Sequence, residues 1–394
     1  MFEPLRVLPP DAIIGIMAMF RADEDPRKID LSVGVYQDEQ GLTPVLDCVK
    51  RAERALMETE TTKSYVGIAG NLGFIQGMEQ MVFGADHPAL AERRVATVQT
   101  PGGSGAISVA GHLLQRAKPG TKVHLSDPSW PNHSPLLKLA GLQLASYPYY
   151  DSRKHEVAFD AMLDSVRSLP AGDVILLHGC CHNPCGADLT REQWQVLAEL
   201  CVQTGVVPFV DFAYQGLAEG LEEDAFGARL MAELCPEAVV VTSCSKNFGL
   251  YRERVGSVSV VTPKLAERDA VFSNLSNVAR GIYSMPPDHG AAIVDGVLRN
   301  PELKALWIEE VSGMRDRLNG LRQLLVDKLD ERGVDMGFVA KERGMFSFLG
   351  LSREQIVRLR DESHVYMVES SRVNVAGISK ANVDYVADAI AAVL

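Results

Sequence analysis

Short apolar runs alternate with amphipathic stretches between residues 95 and 261, and this alternation constrains the fold more than any other feature. The runs are rich in β-branched and other apolar residues, which is typical of buried strands. The predicted strands lie at residues 95–98, 122–125, 142–149, 174–177, 206–210, 239–243 and 255–261. Strands that alternate with helices form a mostly parallel sheet with helices on both faces. We therefore predict an α/β fold for this part of the chain.

The two ends of the chain mix helices with shorter strands. Near the amino terminus we predict a helix at residues 12–20, a short strand at 29–36 and a helix at 44–59. Periodicity predicts one long, charged amphipathic helix at residues 303–332. The rest of the chain favours a smaller α+β domain. Its predicted elements are strands near 344–348, 365–367 and 371–375 and helices at 352–362 and at the carboxyl terminus.

Composition argues against several classes of function. The 394 residues carry a formal net charge of −12, which argues against a nucleic acid or an anionic membrane as the main partner. No apolar run approaches the length of a membrane span. The apolar stretch at residues 12–20 resembles a signal-peptide core, but Asp11 adjoins it and no small-residue cleavage site follows. We therefore expect a cytoplasmic protein.

Seven cysteines, an odd number in a chain without a secretion signal, predict free thiols. Three of them lie at residues 178–185, which read His-Gly-Cys-Cys-His-Asn-Pro-Cys. These donors suit zinc, but no second ligand pair of the C-x-x-C or H-x-x-x-H kind follows downstream. We therefore predict no metal site. A metal-binding or scaffolding protein built on this loop is the non-enzymatic alternative.

The predicted strand at residues 239–243 ends in small hydroxyl residues, and Lys246 and Arg254 follow it. Open α/β sheets bind ligands at the carboxyl ends of their strands. A lysine in that position forms a Schiff base with an aldehyde if desolvation or nearby charge keeps its amine partly neutral. The hydroxyls of Ser243 and Ser245, together with Arg254, suit a phosphate group. Taken alone, a lysine in a loop is more often a solvated surface residue.

Other polar and aromatic residues also follow directly after predicted strands. With the lysine, these positions are Gly103 and Ser104, Trp130, Asn183, Asp211 and Lys246. Because the carboxyl ends of parallel strands meet at one edge of a sheet, we expect these residues to converge there. Such convergence predicts a ligand-binding site.

The residue types at this edge suit pyridoxal 5'-phosphate. The glycine-rich stretch 102–105 opens a helix whose N–H groups can hold a phosphate, although a plain tight turn has the same sequence. Asp211 can keep a pyridine nitrogen protonated, or cap a helix. Trp130 can stack on an aromatic ring, or pack in the core. Arg280 and Arg372 can clamp carboxylates, or lie on the surface. Together with a lysine for the aldehyde, these parts predict a pyridoxal-phosphate enzyme.

Ordered motifs make almost the whole chain resemble the fold-type-I pyridoxal-phosphate aminotransferases, in particular the aspartate and aromatic (tyrosine) amino-acid aminotransferases. The motifs are residues 34–36, 61–65, 100–106, 129–133, 178–184, 211–216, 243–251, 252–256, 344–347 and 371–377. The resemblance implies a large domain, in which helices flank a mostly parallel sheet, and a smaller α+β domain. It implies an arm at residues 1–13, the small domain at 14–45 and 313–394, and the large pyridoxal-phosphate-binding domain at 46–312.

The resemblance also implies roles around the cofactor. Lys246 would bind the cofactor covalently and then move a proton between the substrate Cα and the cofactor. Asp211, steadied by His133, would pair with the pyridinium nitrogen, and Trp130 would stack on the ring. Tyr214 and Asn183 would bind the ring oxygen. The phosphate ligands would be Gly103, Ser104, Ser243, Ser245, Arg254 and the Tyr65 of a second subunit.

For the substrate, the resemblance implies that Arg372 binds the α-carboxylate with help from Asn183 and Gly34, beside Trp130. Arg280 would cross the interface of an obligate homodimer to bind the side-chain carboxylate of a dicarboxylic substrate. The partners would be amino-acid and 2-oxo-acid substrates, with 2-oxoglutarate converted to glutamate by a ping-pong mechanism.

Two departures from the family pattern bear on the substrate. Cys185 replaces the threonine of an Asn-Pro-Thr-Gly motif and should leave the role of Asn183 intact. Met285 replaces the asparagine of a Tyr-Ser-Asn-Pro-Pro motif, which removes a polar partner beside Arg280 and favours apolar ligands. We therefore predict transamination of aromatic amino acids alongside aspartate. The alternatives are a dedicated aspartate aminotransferase and a β-lyase or decarboxylase with the same cofactor. The presence of both Arg280 and Arg372 argues against a β-lyase or decarboxylase.

Overall fold

A computed structural model describes residues 1–7 and 12–394, which form the following elements. The strands are β1 (Ile29–Asp30), β2 (Val95–Pro101), β3 (Lys122–Asp127), β4 (Gln143–Pro148), β5 (Tyr150–Asp151), β6 (Glu156–Val157), β7 (Val174–His178), β8 (Val207–Phe212), β9 (Ala238–Ser243), β10 (Val255–Val261), β11 (Phe346–Phe348), β12 (Val365–Tyr366) and β13 (Arg372–Asn374). The helices are α1 (Ala12–Ala22), α2 (Asp47–Thr59), α3 (Leu72–Phe83), α4 (Pro88–Ala91), α5 (Gly102–Ala117), α6 (His133–Leu139), α7 (Phe159–Arg167), α8 (Arg191–Thr204), α9 (Leu221–Asp224), α10 (Phe226–Leu234), α11 (Leu265–Tyr283), α12 (His289–Arg299), α13 (Pro301–Asp330), α14 (Phe338–Lys341), α15 (Arg353–Ser363) and α16 (Val383–Val393).

The chain forms two compact units. The small unit comprises Met1–Thr43 and Leu318–Leu394, and the large unit comprises Pro44–Arg317. The limit between them in the sequence falls within α13, the long helix that periodicity predicts. The domain bounds implied by the family resemblance stay a prediction. None of the helices in the described part of the chain is long and apolar enough to cross a membrane.

The large unit is built around a seven-stranded sheet in the order β2-β10-β9-β8-β7-β3-β4. Neighbouring strands are parallel except at β10, which runs antiparallel to both β2 and β9. Because β10 runs opposite to both of its neighbours, β2 points in the same direction as β9 and the strands beyond it. The predicted α/β fold with a mostly parallel sheet is confirmed, and each of the seven predicted strands occurs in it.

The core of the large unit lies between this sheet and the helices that cover it. Its fully buried members include Val98, Val123, Leu176, Phe209, Val241 and Val258 from the strands and Ile107, Ala110 and Leu275 from α5 and α11. Burying one such large side chain contributes roughly 1.5–3 kcal/mol. The packed core therefore holds the strand ends, and the residues that follow them, in fixed positions.

Two helix starts in the large unit show how local chemistry sets the boundaries. Thr190 caps α8, because its hydroxyl accepts the N–H of Gln193 at 3.2 Å in a capping box. The helix predicted at residues 44–59 begins only at Asp47. There the carboxylate of Glu310 accepts the N–H groups of Asp47 and Cys48 at 2.6 and 3.1 Å, which satisfies the first turn.

The small unit mixes helices with short strands, as predicted. β1 pairs parallel with β12, and β11 pairs antiparallel with β13. The strand predicted at residues 29–36 is wrong beyond Asp30. After Leu31, the side chain of Asn374 donates to the carbonyls of Val33 and Val35, so a side-chain amide occupies the positions where a neighbouring strand would pair.

Candidate active site

The parallel strands of the large unit end at one edge, where the predicted residues follow them. The register pairs His178 of β7 with Asp211 of β8, and Asp211 with Val241 of β9. Asp211 lies inside β8, not beyond its end as the sequence pattern predicts, because pairing with β7 and β9 continues through it. Gly103 lies in the first turn of α5 after β2, and Lys246 follows the end of β9 at the same edge.

Asp211 is buried and bound by a fully buried histidine. The distance from His133 Nε2 to Asp211 Oδ2 is 2.9 Å. Burial of the Asp211 carboxyl opposes ionisation, but the His133 hydrogen bond, with the nearby charge of Lys246, holds the pKa of Asp211 below its ordinary value. The half-buried Trp130 meets the His133 ring edge to face, with centroids 5.2 Å apart. The site therefore holds a fixed buried anion.

A chain of hydrogen bonds orients His133. His178 Nδ1 accepts the N–H of Asn183 at 3.4 Å, so the proton of a neutral His178 lies on Nε2, 3.4 Å from Ser129 Oγ. Burial, followed by the neighbouring His133, lowers the pKa of His178 to about 3, which keeps it neutral. Ser129 Oγ can then donate to His133 Nδ1 at 2.9 Å, which leaves His133 Nε2–H to donate to Asp211.

Neither Ser129 nor His178 is among the predicted site residues. Sequence reasoning treated His178 as part of the cysteine–histidine loop. The signal that could have identified it is its place directly after the predicted strand at 174–177, beside the strand that carries Asp211.

The rest of the cysteine–histidine loop is structural. His182 contacts Cys185 Sγ at 3.2 Å and Ser126 Oγ at 3.1 Å, and its ring stacks on Tyr149 with centroids 4.2 Å apart. The seven cysteines are buried and form no disulfide within the described residues, as the sequence predicts. Across residues 1–7 and 12–394, no group of three or more His, Cys, Asp or Glu side chains is arranged to hold a metal ion.

Lys246 is a lysine that can lose its proton near neutral pH. Burial lowers the pKa of Lys246 to about 8; the Asp211 carboxylate opposes this shift and the Arg254 guanidinium adds to it. The Lys246 ammonium lies 4.8 Å from the centroid of the Tyr214 ring. Tyr214 itself is buried. A partly neutral amine at the carboxyl edge of the sheet meets the requirement for attack on an aldehyde.

Small and hydroxyl residues gather at the start of α5. Gly102 adopts a positive φ of 71°, and a Cβ on it would lie 2.6 Å from Arg254 Nη2. A Cβ on Gly103 would lie 3.3 Å from Ser243 Cβ. The Ser243 hydroxyl donates to Ser245 Oγ at 3.0 Å. The first N–H groups of α5, two hydroxyls and a guanidinium thus form a cradle suited to phosphate.

Gly256 of β10 is a further residue that sequence reasoning missed. It pairs with Ser243 on one side and Thr100 on the other. A Cβ on Gly256 would lie 2.5 Å from the Thr242 carbonyl oxygen and 2.7 Å from the Gly102 carbonyl carbon. Only glycine therefore lets the start of α5 approach the strand so closely. A glycine inside a predicted strand was the available signal.

In the small unit, Arg372 of β13 is buried and held from two sides. Its Nη2 donates to the Ser32 carbonyl at 2.8 Å, and its guanidinium carbon lies 4.5 Å from the centroid of the Phe346 ring. Gly34 also borders this ring, because a Cβ on it would lie 3.5 Å from Phe346 Cζ. The two substrate residues predicted in this unit, Gly34 and Arg372, therefore both lie beside Phe346, which was not among the predicted site residues.

Two predicted site residues lie at exposed positions. Tyr65 is 92 % exposed, and the exposed Arg280 donates to Ser284 Oγ at 2.9 Å. Met285 lies nearby in the sequence and lines a cavity of about 1140 Å³ between α2, residues 59–66 and α12. The large unit by itself therefore does not bring Tyr65 and Arg280 into the buried arrangement around Lys246.

The residues of the large unit fit pyridoxal 5'-phosphate. A Cβ on Gly102 or Gly103 would intrude on the phosphate cradle, which explains the absence of side chains there. The lysine is partly neutral and the buried carboxyl is ionised, as the aldehyde and the pyridinium nitrogen require. Lys246, Asp211 and the start of α5 lie at the same sheet edge, so one ligand can engage all three.

The mostly parallel sheet, the phosphate cradle and Lys246 are together typical of a pyridoxal-phosphate fold. Comparison with known proteins identifies the family. The model of the family "Aminotransferase class I and II" matches residues 26–390. This chain therefore belongs to the class I and II aminotransferases. The predictions of fold, enzyme class and family resemblance are confirmed, and the metal-binding or scaffolding alternative is set aside.

The individual relatives include both aspartate aminotransferases and aromatic-amino-acid aminotransferases. The chain is 48 % identical to an aspartate aminotransferase of Escherichia coli over 396 residues, which covers 100 % of both chains. It is 46 % identical to an aromatic-amino-acid aminotransferase of Pseudomonas aeruginosa, covering 100 % of this chain and 98 % of the relative. A solved aromatic-amino-acid aminotransferase of Burkholderia pseudomallei, covalently bound to pyridoxal phosphate, is 42 % identical with a TM-score of 0.98, covering 100 % of this chain and 99 % of that one.

Proposed function

We propose that this protein uses pyridoxal 5'-phosphate to transfer the amino group of aromatic amino acids, and of aspartate, to 2-oxoglutarate. The observation that carries the proposal is the half-buried Lys246, whose pKa is lowered to about 8 beside the ionised Asp211 at the edge of the parallel sheet. When bound, the cofactor supplies an electron sink for the charge that develops at the substrate Cα.

The protein's own groups hold and move the protons. Lys246 would hold the cofactor through its Nζ, and its amine, when free and neutral, would accept the proton from the substrate Cα. Asp211 holds the proton on the pyridine nitrogen, because a carboxylate fixed by His133 favours the protonated ring. Trp130 would stack on the ring, and Tyr214 and Asn183 would donate hydrogen bonds to its oxygen.

Binding is divided between phosphate and carboxylate ligands. The phosphate ligands are Gly103, Ser104, Ser243, Ser245, Arg254 and the Tyr65 of a second subunit. Arg372, with Asn183 and Gly34, binds the α-carboxylate that all substrates share. Arg280 binds the second carboxylate of a dicarboxylic substrate in the other subunit. The exposure of Tyr65 and Arg280 supports a homodimer that buries both.

The choice of substrate turns on Met285 beside Arg280. An apolar thioether favours an aromatic side chain, and the arginine favours a carboxylate, so a site with both suits dual specificity. A dedicated aspartate aminotransferase is the second candidate, and the 48 % identity to such an enzyme of Escherichia coli favours it. Seven cysteines outside any disulfide support a cytoplasmic location, where thiols stay reduced.

The visible absorption spectrum of the holoenzyme tests this proposal. Aspartate and phenylalanine are added separately, each without a 2-oxo acid. Loss of the band of the lysine-bound cofactor with both amino acids would support dual specificity, and loss with aspartate alone would favour the second candidate. A protein supplied with the cofactor that shows no such band would overturn the assignment of Lys246.

A further inference from the structure

Arg322 of α13 is fully buried in the small unit, where its guanidinium is enclosed by the segment 339–347. Its donors reach the carbonyl oxygens of Val339, Arg343, Gly344 and Phe346, the hydroxyl of Ser347 and the carboxylate of Glu342. A buried charge persists only where it is paired and hydrogen-bonded. Arg322 therefore fixes the backbone of this segment in one conformation.

The same segment carries β11, which presents Phe346 to Arg372. In the antiparallel pair of β11 and β13, Phe346 lies opposite Asn374, and Phe348 lies opposite Arg372. Opposed and alternate residues share one face of such a pair, so Phe346 and Arg372 point to the same side. The guanidinium carbon lies 4.5 Å from the ring centroid, and both side chains are buried. A desolvated cation over an aromatic face is attracted by the ring quadrupole.

The contacts of Arg372 set the plane of its guanidinium. The Ser32 carbonyl holds Nη2 at 2.8 Å, and the Phe346 ring supports the face. The backbone that carries the ring is fixed, since Arg322 donates to the Phe346 carbonyl, and the buried ring lies close to Gly34, where an added Cβ would come within 3.5 Å of Phe346 Cζ. Bidentate binding of a carboxylate requires such a fixed plane, because both N–H groups must point at the two oxygens.

We propose that Phe346 and Arg322 are positioning residues for the substrate α-carboxylate, which they affect through Arg372. The inference rests on the proposed role of Arg372. Arg322 fixes the backbone of β11, β11 positions the Phe346 ring, and the ring supports the Arg372 guanidinium. Because every amino-acid and 2-oxo-acid substrate carries the α-carboxylate, the effect falls on all of them alike. It falls on KM more than on kcat, since neither residue contacts the reacting atoms.

The decisive variant is Phe346→Leu, which keeps an apolar side chain but removes the π face. Its holoenzyme is mixed with phenylalanine, with aspartate and with 2-phenylethylamine, an amine that lacks the carboxylate, and the cofactor absorbance is followed. We expect kcat/KM for both amino acids to fall between about 3- and 30-fold, the range that a lost cation–π contact gives. The reaction with 2-phenylethylamine should be unchanged.

Phe20→Leu is the matched control. The Phe20 ring also lies in the small unit, supports a cation, Lys28 at 4.7 Å, and meets the Tyr366 ring at 5.4 Å. The control therefore removes an aromatic ring and a cation–π contact of the same kind without touching Arg372. It should leave the ratio between phenylalanine and 2-phenylethylamine unchanged.

Arg322→Lys tests the start of the chain of contacts, because it keeps the charge but loses the fork of donors. We expect the same selective loss for the amino acids. If this variant does not fold, Phe346→Leu alone decides. An equal loss for phenylalanine and 2-phenylethylamine in Phe346→Leu would overturn the inference, because it would indicate general damage.

Arg372→Leu separates the two levels of the proposal. If Arg372→Leu does not weaken amino acids selectively over 2-phenylethylamine, the proposed function of Arg372 fails. If Arg372→Leu does so and Phe346→Leu does not, the proposed function stands and the inference about Phe346 and Arg322 is wrong.

Discussion

The surroundings of the two cations proposed for the site have opposite effects on their charge: those of Lys246 in the large unit destabilise it, and those of Arg372 in the small unit stabilise it. Around Lys246, burial and the charge of Arg254 destabilise the ammonium and lower its pKa to about 8. Around Arg372, a carbonyl oxygen and an aromatic face support the positive charge. One environment makes the charge easy to lose, and the other keeps it.

This difference matches the chemistry proposed for each residue. Proton transfer requires a group that changes its protonation state at working pH, and lysine does so when it is desolvated. Carboxylate binding requires a charge and a geometry that do not change, and the arginine guanidinium stays protonated in proteins. Exchanging the two residue types therefore tests the comparison directly.

Lys246→Arg should have the largest effect. It keeps a positive charge but supplies neither a neutral amine nor a proton-transfer group, so we expect the rate of amino-group transfer to fall by at least about 10⁴-fold. Single-turnover absorbance with aspartate measures this. Lys246→Ala should lose as much, which excludes a purely steric cause. Lys264→Arg, at an exposed lysine paired with Glu267, is the control. Activity within tenfold of wild type in Lys246→Arg would contradict the assignment.

Arg372→Lys should have the next largest effect. The point charge remains while the bidentate fork is lost, so kcat/KM for every amino acid should fall by roughly 10²–10³-fold. Steady-state kinetics with aspartate and phenylalanine measure this, and the ratio between the two substrates should not change. Arg353→Lys, at an exposed arginine paired with Glu369, is the matched control. Loss confined to one substrate would indicate that Arg372 recognises a side chain instead.

Gly256→Ala should weaken the phosphate cradle of the large unit. The new Cβ would meet two backbone atoms within 2.7 Å, and backbone cannot move aside as a flexible side chain can. We expect the Kd for pyridoxal phosphate, measured by titration of the apoprotein, to rise about tenfold or more, since roughly 1.4 kcal/mol of lost binding corresponds to a factor of ten.

Gly313→Ala is the control for that experiment. Gly313 lies within α13, and a Cβ there would meet nothing within 4 Å. It should leave cofactor affinity unchanged and raise the free energy of unfolding by roughly 1 kcal/mol, because alanine favours a helix over glycine. An unchanged cofactor Kd in Gly256→Ala would show that the close approach of α5 is not needed for binding.

The smallest predicted effects are shifts in the titration of Lys246 in the cofactor-free protein. The rate of its modification by an amine-reactive reagent, followed by mass spectrometry against pH, should have a midpoint near 8. Asp211→Asn removes an anion that favours the ammonium, so the midpoint should fall. Arg254→Met removes a cation that disfavours it, so the midpoint should rise. Shifts of the opposite sign would show that these charges do not act on Lys246.

The sequence alone predicts the frame of the site in the large unit. Alternating apolar runs specify a parallel sheet, and any residue directly after a strand must then lie at its carboxyl edge. This reasoning assigned Gly103 and Lys246 to that edge without any knowledge of contacts, although Asp211 lies inside β8 and not directly after it. It succeeded because strand direction and strand ends are local properties of the chain, set by hydrophobic periodicity and turn residues.

The tertiary structure decided what depends on neighbours distant in the sequence. The orientation of the His133 proton depends on His178, the need for glycine at position 256 depends on the approach of α5, and the plane of Arg372 depends on Phe346. The predicted strand at 29–36 was wrong beyond Asp30, because the side chain of Asn374 donates to the carbonyls of Val33 and Val35. Close contacts, burial and pKa shifts arise from pairs of segments brought together by packing, and no local pattern in either segment specifies them.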